Sequence, residues 1–302
     1  MVEGVSKITM IGNSKIVLKS CIDKNDYEAL KNLEITCTEY DSLSFKLELD
    51  YRLENAGKIS KRETNINEFM YYLENELAGY INISNFGGDD LEITGMVHPV
   101  YRNKGIFTQL FTLVQDECKK RKSGEILLLC DNKSNSGISF IERFSQKYHH
   151  SEYDMVLNRE LFPQQCSRSL NIRMAAESDA RTIAEMNYDF FGIVIKEDDT
   201  AIVDNIVNGR TFIAEDGNGN VGSVRIELND GTGGIYGLGV LSEYRGRGYG
   251  RELLMWSIEK LIEMGAERVI LQVDTDNGNA LNLYKSCGFE DENVMSYYVM
   301  RR

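Results

Sequence analysis

A glycine-bearing segment occurs twice in this chain. Val97-His98-Pro99-Val100-Tyr101-Arg102-Asn103-Lys104-Gly105-Ile106-Phe107 returns in outline as Val240-Leu241-Ser242-Glu243-Tyr244-Arg245-Gly246-Arg247-Gly248-Tyr249-Gly250, at an offset of 143 positions. The same offset relates Gly79 to Gly222, Leu110 to Leu253 and Asp131 to Asp274. One ungapped offset running from a strand through the loop, a helix and the next strand is the mark of internal duplication. The chain has 302 residues, enough for two domains of ordinary size. The expectation is two domains of one fold, 1–160 and 171–302. They part near Glu160 to Asn171, where Pro163-Gln164-Gln165 breaks the pattern.

Local patterning supports the order of elements. In the second copy, Ile172 and Met174 mark a short strand, and Ser178-Asp179 is placed to cap a helix carrying Ile183, Met186 and Phe190. Thr211–Glu215 and Val221–Leu228 read as strands joined by Asp216-Gly217-Asn218-Gly219-Asn220. Ile235–Val240 is the strand entering the glycine loop. The helix that leaves it has Leu253, Leu254, Ile258, Leu261 and Ile262 on one face, with Glu252, Glu259, Lys260 and Glu263 mostly elsewhere. Met264-Gly265 ends it. Strand Val269–Val273, helix Asn279–Lys285 and strand Val294–Met300 complete the copy.

In the first copy, Phe69–Leu73 and Gly79–Ile83 pair across a turn at Asn75-Glu76, and Leu91–Val97 follows. Upstream, 7–19 reads as a short strand through Ile8, Met10, Ile16 and Leu18, and Asp26–Leu33 as a short helix. The alternation Leu43-Phe45-Leu47-Leu49-Tyr51 favours a strand, with a helix as the alternative. Residues 54–66 read as loop, and 1–75 carry no assignable motif.

Composition removes several classes of function. No long uncharged apolar run is present, so no membrane partner or span is expected. The opening residues lack a secretion pattern, and the six scattered cysteines form no Cys-x-x-Cys pair. Reduced thiols in a cytoplasm, with no zinc or other metal site, are expected. A net charge of −13 argues against a nucleic-acid partner. Glu197-Asp198-Asp199 reads as a solvated loop.

Glycines between a strand and a helix let the backbone bend and approach a ligand closely. The first turn of a helix has N–H groups without internal partners and a dipole that favours negative charge. Together they form a phosphate site. The spacing Gly246-x-Gly248-x-Gly250 is not the dinucleotide fingerprint. Arg245-Gly246-Arg247-Gly248-Tyr249-Gly250 instead resembles the pyrophosphate motif Gln/Arg-x-x-Gly-x-Gly/Ala of the GNAT superfamily of acetyl-CoA-dependent N-acetyltransferases. Asn277-x-x-Ala280-x-x-Leu283-Tyr284-x-x-x-Gly288-Phe289 resembles that family's second motif. The resemblance covers 171–302 well and 76–157 more loosely.

The resemblance implies an α+β protein of two tandem GNAT-like domains, each a mostly antiparallel mixed sheet flanked by helices. It implies acetyl transfer from acetyl-CoA to a primary amine, of a small molecule or a protein, by direct attack in a ternary complex. Backbone N–H groups from Arg247 to Arg251 would hold the pyrophosphate. In this family the strand before the loop splays from its neighbour and a free N–H there contacts the acetyl or pantetheine part. Val240, with Leu238 beside it, occupies that position. Tyr284 would be the general acid for the thiolate and Asn277 would help bind the cofactor. No base is set by motif; Glu227 and Tyr236 lie on candidate strands.

The first copy departs where chemistry is needed. At the offset, Tyr284 becomes Ile141, Asn277 becomes Ser134 and Gly250 becomes Phe107. A second CoA site at Val97, Arg102, Asn103, Lys104, Gly105, Ile106 and Phe107 is expected to be weak or empty, and not catalytic. The alternative for the whole chain is a non-catalytic CoA-binding or scaffold protein. The oligomeric state is not readable from the sequence.

Overall fold

The computed structural model describes residues 13–56, 65–85, 90–163, 169–192 and 200–301. In chain order the elements are β1 (Ser14–Lys19), α1 (Lys24–Asp41), α2 (Leu49–Asn55), β2 (Glu68–Leu73), β3 (Glu76–Ser84), β4 (Leu91–Val97), α3 (Ile106–Cys118), β5 (Ile126–Asp131), α4 (Asn135–Phe144) and β6 (Ser145–Leu157). The second half continues with β7 (Asn171–Met174), α5 (Ala180–Phe191), α6 (Thr200–Val207), β8 (Thr211–Asp216), β9 (Gly219–Asn229) and β10 (Thr232–Val240). It closes with α7 (Tyr249–Glu263), β11 (Arg268–Asp274), α8 (Gly278–Ser286) and β12 (Phe289–Met300). Among the described residues no helix is long and apolar enough to cross a membrane.

The chain forms two compact units, Met1–His150 with Met295–Arg302, and Ser151–Val294. In the first, β1, β2, β3 and β4 pair antiparallel in turn, β4 runs parallel to β5, and β12 lies antiparallel on β5. In the second, β7, β8, β9 and β10 pair antiparallel, β10 runs parallel to β11, and β6 lies antiparallel on β11. Each sheet is therefore closed by the strand that ends the other copy. Met295 faces Asp131 and Glu152 faces Asp274, so the exchange keeps the sequence offset. The two units are not the two halves of the chain taken in order.

Each sheet is covered on both faces, as helices between strands require. In the first unit Leu110, Val114 and Ile141 pack on Ile81, Ile93 and Leu128, while Leu30, Leu33 and Cys37 pack on Met70, Tyr80 and Met96. In the second, Leu253, Leu254 and Ile258 pack on Val224, Ile226 and Leu271, with Ile183 and Ile206 on Ile213 behind.

Several sequence expectations need revision. The helix expected at Asp26–Leu33 is α1, Lys24–Asp41. It starts early because the Asp23 side chain accepts from Asn25 and Asp26 N–H while Asp26 accepts from Asp23 N–H, a capping box. It runs on because Leu30, Leu33 and Cys37 continue the buried face. The stretch 43–51 is not a strand. Residues 43–48 are irregular and α2 follows from Leu49. Ser42 and Glu48 take left-handed φ of 55° and 51° at its two ends, which breaks an extended run. The N–H of Ser44 donates to Asp131 Oδ2 (2.9 Å) rather than to a neighbouring strand. Helix α2 also enters the region expected to be loop. The β2–β3 turn falls one residue earlier than expected, at Glu74-Asn75, where both φ are positive (51° and 73°), as a two-residue hairpin requires. The part of the expected first strand carrying Ile8 and Met10 lies outside the described residues, as do Cys166 and Glu197-Asp198-Asp199.

The offset also has a hidden break. Ile83 pairs with Ile93 in the first unit, and Ile226 with Ile235 in the second. One residue fewer lies between the second pair than the first, and one more lies between Ile235 and Val240 than between Ile93 and Val97. The extra residue is a β-bulge in β10 between Tyr236 and Gly239, containing Gly237 at φ 56°. β4 keeps unbroken register with β3 from Glu92 to Val97.

Because β6 completes the sheet of the second unit, the fragment 171–302 lacks an edge that 148–294 contains. Thermal unfolding followed by circular dichroism is expected to be cooperative for 148–294 and broad or absent for 171–302. Equal cooperative transitions would show that β6 is dispensable.

Candidate functional site

In both units the parallel strand pair holds for a short distance and then parts. β10 pairs with β11 only from Thr232 to Ile235, and β4 with β5 only from Leu91 to Ile93. Beyond the parting, Leu241 N–H donates to Val221 O (2.9 Å), and its counterpart His98 N–H to Ala78 O (2.9 Å). Alternation along a strand then directs the N–H of the preceding Val240, and of Val97, away from that neighbour and into the gap.

A single 3₁₀ turn follows in each unit, Ser242–Tyr244 and Pro99–Tyr101. The motif arginine then folds back. Arg245 Nε donates to Val240 O (3.0 Å) and Arg102 Nε to Val97 O (3.0 Å). Each guanidinium also meets a carboxylate at the end of its unit's first long helix, Asp189 for Arg245 (3.5 Å) and Asp41 for Arg102 (3.0 Å). These side chains hold the loop against its strand. Asp189 also accepts from Ser242 N–H (2.9 Å). No motif pointed to Asp189 or Asp41.

Gly246 and Gly248 have φ of 77° and 85°. A Cβ built on either meets nothing within 4 Å, so the required dihedral, not lack of room, selects glycine. Gly105 matches Gly248 (φ 78°), and Asn103 matches Gly246 (φ 60°). Asparagine is among the few other residues that tolerate this region. Gly248 and Gly105 are the residues before α7 and α3. Among the described residues, the N–H groups from Gly246 to Gly250 have no hydrogen-bond partner, and the same holds from Asn103 to Phe107. Consecutive unpaired amides at a helix start form a concave anion site. Arg247 lies over the Tyr244 ring (5.0 Å to its centroid), as Lys104 lies over Tyr101 (5.1 Å). Tyr249 OH donates to Asp216 (3.2 Å), and Arg251 ties the start of α7 to Ser286 Oγ (2.7 Å).

At Gly250 a built Cβ would touch Leu283 (3.6 Å) and Val240 (3.8 Å). These are ordinary contact distances, and they show that α8 lies close to the end of β10 at this point. Next to Leu283 is Tyr284, buried and edge-on to Phe289. Its hydroxyl has no hydrogen-bond partner among the described residues, and burial pushes its pKa above the usual phenol value. Leu238 is half-buried and lies within the bulge, beside the gap. Asn277 is the N-cap of α8, its Oδ1 accepting from Ala280 N–H (3.1 Å). Ser134 does the same for α4 through Gly137 N–H (3.2 Å). The change from Asn277 to Ser134 therefore preserves a cap.

In the first unit a cavity of about 690 Å³ lies in the parting, with Gly95, Val97, Asn103, Phe107, Ser134 and Ile141 among its walls. That size suits a ligand pocket. Phe107 does not fill it, because the ring turns edge-on to Phe140 (4.7 Å), the residue that replaces Leu283. Cys130 also lines the cavity, and burial pushes its thiol up to about 11, which makes it a poor nucleophile.

Glu252 departs from expectation. It is buried on α7 and accepts from Leu170 N–H (2.7 Å) and Ser169 Oγ (2.8 Å), holding the entry to β7. Helical periodicity alone placed this carboxylate among the solvent-facing charges.

The sequence model of the acetyltransferase (GNAT) family matches residues 27–145 and 180–289. A mycothiol acetyltransferase of Corynebacterium aurimucosum is 42% identical over 57 residues, 19% of each chain. An N-alpha-acetyltransferase of Sulfurisphaera tokodaii is 39% identical over 67 residues, 22% of this chain and 40% of that protein. These matches thus span well under two thirds of the relatives' own lengths. Among solved structures, a GCN5-related N-acetyltransferase from Sphaerobacter thermophilus superposes with a TM-score of 0.75 at 18% identity, covering 95% of this chain and 96% of that one. A tandem GNAT protein from the clavulanic acid biosynthesis pathway gives 0.71 at 11% identity, covering 95% and 98%. The structural likeness establishes the two-domain fold.

Glu252→Ala is expected to destabilise the protein by about 2–4 kcal/mol, since buried donors lose a charged acceptor. Urea unfolding measures this. A change below about 0.5 kcal/mol would mean that water replaces the carboxylate.

Proposed function

We propose that this chain, which belongs to the acetyltransferase (GNAT) family, acts as an N-acetyltransferase whose second unit moves an acetyl group from acetyl-CoA to a primary amine of a small molecule. The observation that carries this reading is the convergence in one unit of three features. They are the unpaired amides from Gly246 to Gly250, the gap beside Leu238 and Val240, and the unpartnered hydroxyl of the buried Tyr284 side chain. Acetyl-CoA supplies a thioester carbonyl and a thiolate leaving group.

The amides at the start of α7 hold the pyrophosphate, with Arg247 and Arg251 adding positive charge. The N–H of Val240 donates to the carbonyl oxygen as charge develops there. The bulge at Gly237, which the first unit lacks, sets the course of the strand up to that N–H. The amine nitrogen attacks the carbonyl carbon directly, the carbon–sulfur bond breaks, and Tyr284 gives its proton to the departing thiolate. Burial keeps the phenol protonated through neutral pH, so the donor form is always present. Glu227 is committed to Arg225 and Arg210 and does not serve as the base. Water carries the amine's proton away. Asn277 shapes the site by starting α8. Cys287 is buried and takes no part.

The first unit keeps the loop, the gap and a cavity but has Ile141 where the proton donor stands, so it holds CoA without turning it over. The repeats 1–160 and 171–302 are the inherited copies, and only the second retains transfer. Relatives named for mycothiol and for clavulanic acid biosynthesis favour a small acceptor. The relative named N-alpha-acetyltransferase keeps a peptide amino terminus as the second reading.

Tyr284→Phe is expected to lower kcat roughly 10²–10³-fold, with acetyl-CoA affinity nearly unchanged. Because burial raises the phenol pKa, the midpoint of any alkaline fall in wild-type kcat should lie above the ordinary phenol value. Thiol release across pH checks both statements, and an unimpaired phenylalanine variant would remove Tyr284 from the reaction.

Calorimetric titration of acetyl-CoA is expected to find two sites in the wild type. Gly248→Glu should remove one and Gly105→Glu the other, because each puts a carboxylate into a left-handed position facing the phosphates. Circular dichroism checks the fold of each variant. If Gly105→Glu changes nothing, the first cavity does not bind CoA.

A further inference from the structure

On the face of the second sheet that carries α5 and α6, three cross-strand pairs run across the point where β10 parts from β11. Glu227 faces Gly234, Arg225 faces Tyr236, and Ser223 faces Gly239. Gly239 lies directly under Phe190 of α5, where a built Cβ would fall 2.1 Å from the ring. Two residues are glycine so that rings can lie flat on the strand. Tyr236 lies over Gly234, and Phe190 over Gly239.

Arg225 sits on this floor. Its guanidinium lies 4.5 Å from the Tyr236 ring centroid, and its Nη1 donates to Glu227 Oε1. Stacking and pairing fix the plane of the group at both ends. Glu227 also meets Arg210 Nη1 (3.4 Å). Arg225 Nε and Nη2 have no hydrogen-bond partner among the described residues, although the side chain is only 28% exposed. A chain with a net charge of −13 thus holds a half-buried, oriented cation with spare donors beside its reaction gap. A half-buried guanidinium with unused donors is suited to a bidentate anion.

We propose that Arg225 binds an anionic group, carboxylate or phosphate, on the acceptor amine, so that the acceptor is zwitterionic. This rests on the transfer reading above. On β9, Arg225 lies three residues from Gly222, which faces Val240, roughly 10 Å of strand. The guanidinium is held by Glu227 and by the Tyr236 ring, which lies over Gly234, both on the side away from Val240, so the anion lies several bonds from the amine. A long amino acid or an aminoalkyl phosphate fits better than an α-amino acid.

The test uses the full-length protein and measures acetyl-CoA-dependent thiol release with two matched pairs, 6-aminohexanoate with hexylamine and 5-aminopentyl phosphate with 5-aminopentanol. Wild type should favour the anionic member of at least one pair by tenfold or more in kcat/KM. The pair that shows it distinguishes carboxylate from phosphate. Arg225→Gln should reduce that ratio about tenfold. Arg225→Lys, which keeps the charge but loses the planar fork, should fall between. A ratio near one in the wild type, or one that Arg225→Gln leaves unchanged, overturns the proposal and leaves acetyl transfer standing. Thiol release that no amine raises above the rate of hydrolysis by water overturns both. Thermal melting of both variants controls for folding, because a general loss of structure lowers both members of a pair and does not move the ratio.

Discussion

Two parallel strands that separate after four residues create an accounting problem for the backbone. Each strand residue carries a donor and an acceptor that need partners when buried. Past Ile235, β11 no longer supplies them to β10, and the alternating pattern aims the Val240 N–H into the gap. The loop beyond adds further donors from Gly246 to Gly250. The fold can leave these groups without internal partners only where solvent or a ligand takes their place. The details that the two loops share, from the arginine contact with the strand carbonyl to the left-handed dihedrals, keep those donors aligned.

The two units separate scaffold from chemistry. Loop hydrogen bonds recur at the offset almost atom for atom, with Asn103 standing in for Gly246 and Ser134 for Asn277. What differs is a bulge and a phenol. A domain with Ile141 at the position of Tyr284 keeps its architecture because capping, left-handed turns and core packing do not depend on that side chain. Duplication then allows one copy to drift at such positions while the architecture of both is kept.

Much of this was legible in the sequence because it depends on local rules. Leu91–Val97 alternates and is a strand with those limits. Asp216-Gly217-Asn218-Gly219-Asn220 holds the turn between β8 and β9. Gly105, Gly246 and Gly248 were identifiable because the backbone there needs positive φ. Other features escaped because they are non-local. The bulge was masked by a hairpin loop one residue shorter, so the overall count agreed. Glu252 has the spacing of a surface residue, and only the position of Leu170 N–H explains its burial. The alternation at 43–51 imitates a strand because Leu43, Leu47 and Leu49 are all buried, although the chain between them is irregular. Strand exchange leaves no trace in either repeat, because the exchanged segments are related by the same offset.

That exchange has a consequence for how the protein is made. The partner of β5 is a segment beginning at Met295, which leaves the ribosome long after β5 itself. Throughout elongation the first unit has an open β5 edge, and an unpaired edge invites wrong pairing. Translation proceeds at roughly 5–20 residues per second, so about 160 residues separate β5 from its partner by some 10–30 seconds. The nascent chain must remain soluble with that edge exposed, or shield it temporarily. Its own β6 is the nearest substitute, and the finished fold requires β6 on β11 instead.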